Sequence, residues 1–472
     1  MNIFINNSLS RKKELFKPIN DGFVSMYVCG PTVYGPPHVG HARSYVNFDV
    51  IRRVLEYAGY KVKYVQNITD VGHIVGDIDE GDDKILLQAQ KENLDPYALA
   101  YKYETMYFDS MDKLKVKRPT ISARATAVIP EIICMIQSII DKGFAYVTKD
   151  GNVYLELSKV KSYGKLSGRK LENGLSGERI EIASDKKNPE DCALWKSAVG
   201  GHIMKWQSPW GLGYPGWHIE CSAITKKFLG DTFDIHGGGL DNIFPHHETE
   251  ITQSEIANGK TFVNYFIHNN LITVNGTKMG KSLGNFITLE DLFKRFNPQV
   301  VRYFILQFHY RKPVDFSFEQ LDKTKEQFDK LNDVFSKIKD LTNNEFSEIN
   351  NSILTDIKTN FDKAVFDDFN TPVAVSEVLK LGKVAINAIS TNNITLAKEI
   401  NKFIKIIEDV LGFDFKSDII KEENKSESSD NQLLSLISVV RNKLRANKNF
   451  ELSDFIRDEL VKLNININDK KI

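Results

Sequence analysis

Two short motifs in the sequence carry side chains suited to handling a triphosphate. The first, HVGH, places His38 and His41 three residues apart at a predicted helix start, so both imidazoles lie on one side of the turn. Gly40 lets a bound group approach the backbone closely, and the helix N-terminus adds partial positive charge. Imidazoles that are protonated or donate hydrogen bonds stabilise the charge that builds on an α-phosphate during nucleotidyl transfer. The alternative is two loop histidines satisfied by backbone hydrogen bonds.

The second motif, KMGKS, spans residues 278–282 and carries two lysines in a predicted loop. It follows a predicted hairpin in which Asn275 and Gly276 favour a tight turn. Lys278 and Lys281 could close over a triphosphate and stabilise its transition state. A lysine-rich loop on its own is more often simply solvated. Its occurrence together with the histidine motif, in the other half of one predicted sheet, favours a nucleotide-handling site.

A third group of residues has the chemistry of a metal site. The group comprises two thiols, one imidazole and one carboxylate: Cys29, Cys221, His246 and Glu250. The last two stand at positions i and i+4 of one predicted helix, where two side chains can share one ion, and the set suits Zn²⁺. We expect His247 and Glu248 to point elsewhere. The alternative is that both cysteines are small buried core residues. Cys134 and Cys192 are expected to be structural.

The histidine motif lies between two strands of a predicted βαβ unit. Residues 23–28 (FVSMYV) form a short apolar, β-branched run that predicts a strand, and residues 61–68 (KVKYVQNI) are predicted to form a second strand. Between them, apolar residues recur at helical spacing from the histidine motif until Gly59. Such a unit begins a doubly wound parallel sheet, whose ligands bind beyond the carboxyl ends of the strands. Cys29 and Thr69 both fall at that edge.

A second unit of the same kind follows later in the chain. Strands are predicted over residues 231–236 and 262–268, with a loop, GGGLDN, after the first. Pro245 opens the intervening helix and Gly259 closes it. The long stretch between the two units, about 115–206, has a helix and hairpin-like material of its own. The sequence therefore predicts an α/β fold with a split Rossmann-like parallel sheet and an inserted subdomain.

The character of the chain changes after the predicted sheet. The predicted domains are a catalytic domain over 1–315, whose final part, about 270–315, holds the lysine loop; an α-helical bundle over 316–420; a polar linker over 421–430; and a small C-terminal domain over 431–472. Amphipathic helical patterns with charged outer faces predict the bundle. The C-terminal region carries 8 Lys and Arg against 5 Asp and Glu, a net charge of +3.

Composition excludes several classes of protein. The 472 residues include 62 Lys and Arg against 62 Asp and Glu, and 42% are hydrophobic, close to ordinary globular chains. Global disorder, a fibrous protein and a generally basic nucleic-acid coat are excluded, whereas a nucleic-acid substrate held by local patches is not. No stretch has the ~18 apolar residues of a membrane span. Four cysteines and an N-terminus unlike a signal peptide predict a cytoplasmic protein without a disulfide framework.

In this order and combination, the motifs resemble those of the cysteinyl-tRNA synthetases, a family of class I aminoacyl-tRNA synthetases. CGPTVYGPPHVGHAR is similar to the family's segment with the HIGH signature, and GWHIECSA, DIHGGGLDNIFPHHETE and KMGKSLGNFITLEDL resemble its later segments. VRYFILQFHYRKPVDFSFEQL and FDDFNTPVAV resemble the region after the lysine loop and the start of the helical domain. The likeness covers essentially the whole chain. Gly280 stands where the family usually has Ser, and both lysines are kept.

The resemblance implies an activity and a set of roles. Such an enzyme activates L-cysteine with Mg²⁺ and ATP to cysteinyl-adenylate and transfers it to the 3′ end of tRNA(Cys). Binding of ATP is implied for His38, Gly40, His41 and Lys281. Catalysis is implied for His38, His41, Lys278 and Lys281. One zinc ion per chain, which also binds the substrate thiolate, is implied to be held by Cys29, Cys221, His246 and Glu250.

The resemblance also bears on the rest of the protein. The amino-acid pocket is implied to be lined by Thr69, Trp217 and His236. The region 431–472 is expected to contact the anticodon end of the tRNA, 270–315 is expected to include a stem-contact region, and the protein is expected to be a monomer. Shape alone separates near-isosteres such as cysteine and serine by only ~10–200-fold. Because a soft thiolate binds zinc far better than a hydroxyl does, no separate editing domain is needed.

Three other functions fit part of the pattern. A ligase that joins cysteine to an amino sugar would share the zinc and adenylate chemistry but would not need the chain after Asp315. A small-molecule nucleotidyltransferase with an HxGH loop would lack the lysine loop and the thiol-selective metal set. A tRNA-binding regulator without activity would not need the two histidines and two lysines. The length of the chain and its intact motifs favour the synthetase.

Overall fold

The structure of the protein is a computed structural model in two units, Met1–Asp414 and Phe415–Ile472. It describes residues 2–72, 83–169, 186–198, 202–280 and 284–416, and of the C-terminal part residues 437, 440, 441, 443, 444 and 449–462. Lys281 and the linker predicted over 421–430 lie outside the described residues. Within the described residues, no helix has the length and apolar character that crossing a membrane requires.

Strands and helices alternate in the first part of the chain and helices dominate its last third. The strands are β1 Phe4–Asn7, β2 Lys12–Leu15, β3 Phe23–Val28, β4 Lys61–Ile68, β5 Ile121–Arg124, β6 Ala145–Val147, β7 Val153–Leu155, β8 Cys192–Ser197, β9 Trp206–Ser208, β10 Gly211–Pro215, β11 Phe233–Gly239, β12 Val263–Asn269, β13 Ile272–Val274, β14 Thr277–Lys278 and β15 Val314–Phe316. The helices are α1 Val39–Tyr57, α2 Lys84–Glu92, α3 Pro96–Lys113, α4 Ile129–Asp141, α5 Trp217–Leu229, α6 His246–Asn258, α7 Leu289–Arg295, α8 Pro298–Leu306, α9 Phe318–Leu341, α10 Ser352–Phe366, α11 Thr371–Ser390, α12 Ile394–Leu411 and, in the second unit, α13 Phe450–Lys462.

Five parallel strands in the order β12-β11-β3-β4-β5 form the central sheet. Helix α1 connects β3 to β4, and α6 connects β11 to β12, so the two predicted units share one sheet. The strands predicted over 23–28 and 61–68 are confirmed to the residue. Apolar side chains such as Met26 and Val65 are fully buried, as is usual for strands in the middle of a parallel sheet. The split parallel-sheet fold is confirmed.

Strand β11 is longer than predicted, because it continues through the three glycines that the sequence suggested as a loop. These glycines pair with residues 267–269 of β12. A Cβ on Gly237 would lie 2.4 Å from the ring of Phe48 in α1, and one on Gly238 would lie 2.6 Å from the ring of His247 in α6. The absence of side chains therefore lets two helices pack directly on the strand.

An antiparallel sheet in the order β6-β7-β8-β10-β9 forms the inserted subdomain. Its strands run from Ala145 to Pro215. The insert was predicted over about 115–206, but β5 lies within that range and pairs in parallel with β4 of the central sheet. The insert therefore starts later than predicted, because a four-residue strand carries no local signal for the sheet it joins.

A small sheet leads into the lysine motif. Strands β13 and β14 are antiparallel and joined at Asn275 and Gly276, whose φ angles of 50° and 75° confirm the predicted tight turn. Strand β15 pairs in parallel with β13 and connects this sheet to α9. Lys278, the first residue of the motif, is the last residue of β14.

Helices α9 to α12 form the predicted bundle. Helix α11 packs against α9, α10 and α12. The four helices start at polar caps whose side chains accept backbone N–H groups of the first turn: Ser317, Asn351, Asn370 and Asn393. Large apolar side chains such as Phe335, Leu381 and Ile404 are fully buried between them. The amphipathic patterns thus correspond to helices that bury one face.

A buried ion pair joins helices α1 and α8, and its arginine also bonds to the last helix of the bundle. Arg302 of α8 contacts Asp49 of α1, and its other nitrogens donate to the carbonyl oxygens of Leu114 and Leu411 after α3 and at the end of α12. A Cβ on Gly412 would lie 2.2 Å from the guanidinium, so this position needs glycine. Burial raises the pKa of Asp49, but the neighbouring guanidinium groups outweigh it and lower the pKa overall. The carboxylate is therefore charged and paired.

Replacing Asp49 by Asn should destabilise the protein by about 3–5 kcal/mol, because it leaves the charge of Arg302 buried without its counter-charge. The measurement is the midpoint of urea unfolding. Glu319→Gln is the control, because the pair of Glu319 with Lys323 is exposed and its loss should leave the midpoint nearly unchanged. Similar midpoints for the two variants would contradict the role given to the buried pair.

Candidate active site

A cavity of about 510 Å³ opens at the carboxyl ends of β3, β11 and β12. Its wall combines the chain after these strands with the first turns of α1, α5 and α6. Among the predicted site residues, His38, Gly40, His41 and Trp217 line it, together with two of the predicted metal ligands. Within the described part of the chain, Thr69 and His236 are buried and do not reach the wall. The cavity is where the sequence placed ligand binding.

The two motif histidines cap helix α1. Nδ1 of His38 accepts the backbone N–H of Gly40 at 3.1 Å, and Nδ1 of His41 accepts that of His38 at 3.2 Å. Because Nδ1 accepts in each ring, the neutral imidazoles carry their protons on Nε2. Burial and the nearby His38 lower the pKa of His41 well below its usual value. The sequence left open whether the imidazoles are protonated or neutral hydrogen-bond donors. His41 is therefore the neutral donor.

The histidine motif and the lysine motif meet at Gly40. A Cβ on Gly40 would lie 2.9 Å from the His38 ring and 3.7 Å from Cε of Met279, the second residue of the lysine motif. Two backbone bonds reinforce this contact, from Val39 N to the Ile287 oxygen and from Leu289 N to the Pro37 oxygen. The chain on both sides of the lysine motif, at Met279 and at Ile287 and Leu289, is thus held at the start of α1.

Arg43 makes a further link that the sequence did not reveal. The residue is 1% exposed, and its guanidinium donates to five carbonyl oxygens in the end of α8 and the segment that leads to β15: Ile305, Phe308, His309, Tyr310 and Lys312. It therefore fixes the segment that leads into β15 against the helix of the histidine motif. An arginine within a helical pattern is usually solvated, so nothing local signals this role.

The four predicted metal ligands come together beside the cavity. Their donor atoms all lie within 4.8 Å of one another, and all four residues are buried. Nε2 of His246 is 3.6 Å from Sγ of Cys221 and 3.0 Å from Oε1 of Glu250, which is 3.7 Å from Sγ of Cys29. Bonds of about 2.0–2.3 Å to a tetrahedral zinc ion place its ligand atoms about 3.3–3.8 Å apart. The donor set and its spacing fit zinc.

His247 does not point away from this cluster, contrary to the expectation from the sequence. Its Nε2 lies 3.3 Å from Sγ of Cys29, because Gly238 leaves room for the ring on β11. Glu248 does point elsewhere and accepts the backbone N–H of Ser167 at 2.7 Å. Successive residues of a helix point in directions about 100° apart. This spacing separates the side chains of His246, His247 and Glu248, but it does not show which of them faces Cys29.

A second, overlapping group of donor atoms therefore exists. It comprises Cys29, His236, His247 and Glu250. The predicted set differs by offering a second sulfur, which zinc favours. It also has two members on the cavity wall, Cys29 and His246, whereas the second group has only Cys29 there. For an ion that must meet a ligand in the cavity, the predicted set is the better one.

Two further histidines, His218 and His236, contact the candidate metal ligands. Nδ1 of His218 lies 2.7 Å from Nδ1 of His246, and Nε2 of His236 lies 2.8 Å from Oε2 of Glu250. Such outer partners orient metal ligands and tune their basicity. The sequence carried a signal for this group, because five of the ten histidines fall between residues 218 and 268.

The electrostatics of the cluster favour the deprotonated form of two of its donors, Glu250 and Cys221. Burial raises the pKa of Glu250, but His236 and His246 outweigh it and lower the pKa to about 2. Burial likewise raises the pKa of Cys221, and the hydrogen bond from Cys29 with the contact to His246 brings it down to about 6. Metal binding needs thiolates and carboxylates. Glu250 and Cys221 therefore present the form that a divalent cation requires. Burial raises the pKa of Cys29, and Glu250 with Cys221 outweighs burial and raises the pKa of His246 to about 10, so a cation displaces a proton from each of these two ligands.

Comparison with known proteins identifies the family. Residues 15–326 match the family model of the tRNA synthetases class I (C) catalytic domain, and residues 360–416 match the DALR domain. The cysteine–tRNA ligase of Chlorobium chlorochromatii is 46% identical over 100% of this chain and 98% of its own, and that of Pyrococcus horikoshii is 47% identical over the same shares. The chain belongs to the cysteine–tRNA ligase family. The family resemblance inferred from the motifs is thus confirmed, and the protein is an enzyme of this type.

More distant proteins share the fold of this cysteine–tRNA ligase family member. The Mycobacterium tuberculosis methionyl-tRNA synthetase in complex with methionyl-adenylate superposes with a TM-score of 0.60 at 13% identity, covering 83% of this chain and 92% of that chain. The class I synthetase fold is therefore confirmed. The family likeness extends through the bundle, which argues against the amino-sugar ligase and the nucleotidyltransferase.

Proposed function

We propose that this chain joins L-cysteine to tRNA(Cys) in two steps within the described cavity. The observation that carries the proposal is that one wall brings together His38 and His41 with Cys29 and His246 of the candidate metal cluster. A motif for handling ATP and a set of ligands for selecting a thiol thus share one chamber. Membership of the cysteine–tRNA ligase family supports the same activity.

In the first proposed step, a carboxylate oxygen of cysteine attacks the α-phosphorus of ATP bound with Mg²⁺. The P–O bond to the leaving group breaks, so cysteinyl-adenylate forms and pyrophosphate is released. His38 and His41 donate from Nε2 to phosphate oxygens, and Gly40 admits the phosphate to the N-terminus of α1. Lys278 and Lys281 stabilise the charge that develops in the transition state. In the second step, a hydroxyl of the terminal adenosine of tRNA attacks the carbonyl carbon, and AMP leaves.

Cysteine is selected at the metal cluster. We propose that Cys29, Cys221, His246 and Glu250 hold one zinc ion, which supplies a Lewis acid that binds a thiolate far better than a hydroxyl. Trp217 stacks on His246 with ring centroids 4.3 Å apart and limits the size of the side chain that fits beside it. Thr69 acts from behind the wall, donating its backbone N–H to Pro31, and His236 holds Glu250.

Zinc content tests the ligand set. The purified protein should hold about one zinc per chain, and Cys221→Ser should lose most of it, because a serine hydroxyl stays protonated and neutral. Metal analysis of the dialysed protein is the measurement. Cys134→Ser is the matched control, since Cys134 is exposed and should leave both zinc and activity intact. Full zinc occupancy in Cys221→Ser would contradict the assignment.

The lysine motif is tested by cysteine-dependent ATP–pyrophosphate exchange. Lys281→Ala should reduce exchange roughly 10²–10³-fold, because it removes a charge partner of the transition state. The KM for cysteine should change little, since the lysine acts on charge that is largely absent from the ground state. Lys260→Ala is the control, because Lys260 pairs with Asp231 on the exposed surface and should leave exchange unchanged. Equal losses in cysteine binding and turnover would contradict this role.

The C-terminal region is proposed to contact the anticodon end of the tRNA. Its net charge of +3 is unevenly distributed, because α13 holds four of its five acidic residues and two of its eight basic ones. The basic excess therefore lies in the residues that flank this helix. Phosphate groups require such partners, and binding through them weakens as salt concentration rises. The alternative is that the region is merely a solvated helical cap.

Truncation before Asn431 separates the two halves of the proposed function. ATP–pyrophosphate exchange should stay nearly intact, since all of its proposed residues lie in the first unit. Aminoacylation of tRNA(Cys) should fall mainly through weaker tRNA binding, which is measured as a raised KM for tRNA at fixed salt. A truncated protein that charges tRNA(Cys) as well as the full chain would show that the region is only a cap.

A further inference from the structure

A line of hydrogen bonds runs from the N-terminal hairpin to the sulfur of Cys29. Oγ of Ser8 lies 2.8 Å from Nδ1 of His268, and Nε2 of His268 lies 2.8 Å from Nδ1 of His247. Nε2 of His247 in turn lies 3.3 Å from Sγ of Cys29. Both nitrogens of both rings are thus engaged, and the hydroxyl of Ser8 occupies the outer end of the line.

Ser8 is held firmly in this position. Its backbone N–H donates to the Phe266 oxygen at 2.9 Å, in strand β12. The neighbouring Asn7 accepts the backbone N–H of Phe266 at 3.0 Å and donates to the Asn264 oxygen at 2.9 Å. The turn after β1 is therefore bonded along β12, beside the strand residue that carries the outer imidazole.

The direction of each bond follows from the two ends. A thiolate that binds a metal can only accept, so Nε2 of His247 carries a proton and its Nδ1 accepts from His268. Nδ1 of His268 must then accept, and the hydroxyl of Ser8 is its donor. Burial, together with the nearby His236, lowers the pKa of His268 to about 3, in keeping with one proton on that ring.

We propose that Ser8 is a positioning residue of the metal site, whose hydroxyl fixes the tautomer of His268 and thereby the N–H that His247 donates to Cys29. The proposal rests on the zinc-dependent function proposed above. Two thiolates and a carboxylate exceed the charge of a divalent ion by one, and a substrate thiolate adds another. A donated N–H disperses this negative charge at Cys29, so its loss should weaken the hold on the metal.

Metal release from Ser8→Ala, Ser8→Thr and Ser10→Ala tests the proposal in the full-length protein. Ser8→Ala should transfer zinc to a chelator about tenfold faster, at the low end of outer-partner effects because Ser8 acts through two rings. Its cobalt-substituted form should show a shifted thiolate-to-cobalt charge-transfer band, which a general loss of stability would not produce. Ser8→Thr keeps the hydroxyl and should restore both properties. Ser10 lies in the same hairpin, bonded to Asn7 and Lys12, and Ser10→Ala should match the wild type.

The outcomes separate this proposal from the function on which it rests. A wild-type protein that binds no zinc and charges tRNA without it would overturn the proposed function. A wild-type protein with about one zinc, and a Ser8→Ala variant with unchanged release rate and band position, would overturn only the role of Ser8. Failure of Ser8→Thr to restore the wild-type values would overturn it as well.

Discussion

The contact of the His247 ring of α6 with strand β11 is the constraint on which the candidate site depends. Gly238 has no Cβ, so the ring of His247 rests against the backbone of the strand. The same helix carries His246 and Glu250, which lie beside the cysteines with donor atoms 3.0–3.7 Å apart. A side chain at Gly238 would collide with the His247 ring and displace it from the sulfur of Cys29. The glycines of β11 are thus as much a part of the site as the ligands.

The cluster concentrates ionisable groups in a place where charge is costly. Glu250 and Cys221 are essentially without solvent contact, and their charges persist because imidazoles surround them. Buried ion pairs contribute little net stability compared with well-packed apolar residues. A cluster of this kind therefore points to a function rather than to stability of the fold. The cluster also borders the cavity at the carboxyl ends of the parallel strands, which is where folds of this kind bind ligands.

Two buried arginines connect segments that are remote in sequence. Arg43 binds carbonyl oxygens of the segment between α8 and β15, and Arg302 binds those after α3 and at the end of α12. Carbonyl groups at helix ends lack partners within the helix, and a guanidinium with five donors satisfies several of them at once. The histidine motif and the sheet that leads to the lysine motif are held together in this way. Their relative placement is thus a matter of directed hydrogen bonds as well as apolar packing.

The sequence alone determined the features that depend on local pattern. The strands at 23–28 and 61–68, the turn at Asn275 and the i, i+4 pair of His246 and Glu250 follow from periodicity and turn chemistry, which act over a few residues. The full ligand set was found from the sequence only through resemblance to a family, since its cysteines are far apart along the chain.

Tertiary structure decided what depends on contacts between distant segments. It placed β5 in the central sheet and continued β11 through its glycines, because strand pairing and helix packing there outweigh local propensity. It also turned His247 toward Cys29 and buried Arg43 among backbone carbonyls. The sequence around His247 and around Arg43 gives no sign that either side chain is buried. Their roles arise from partners that only the folded chain brings within hydrogen-bond distance.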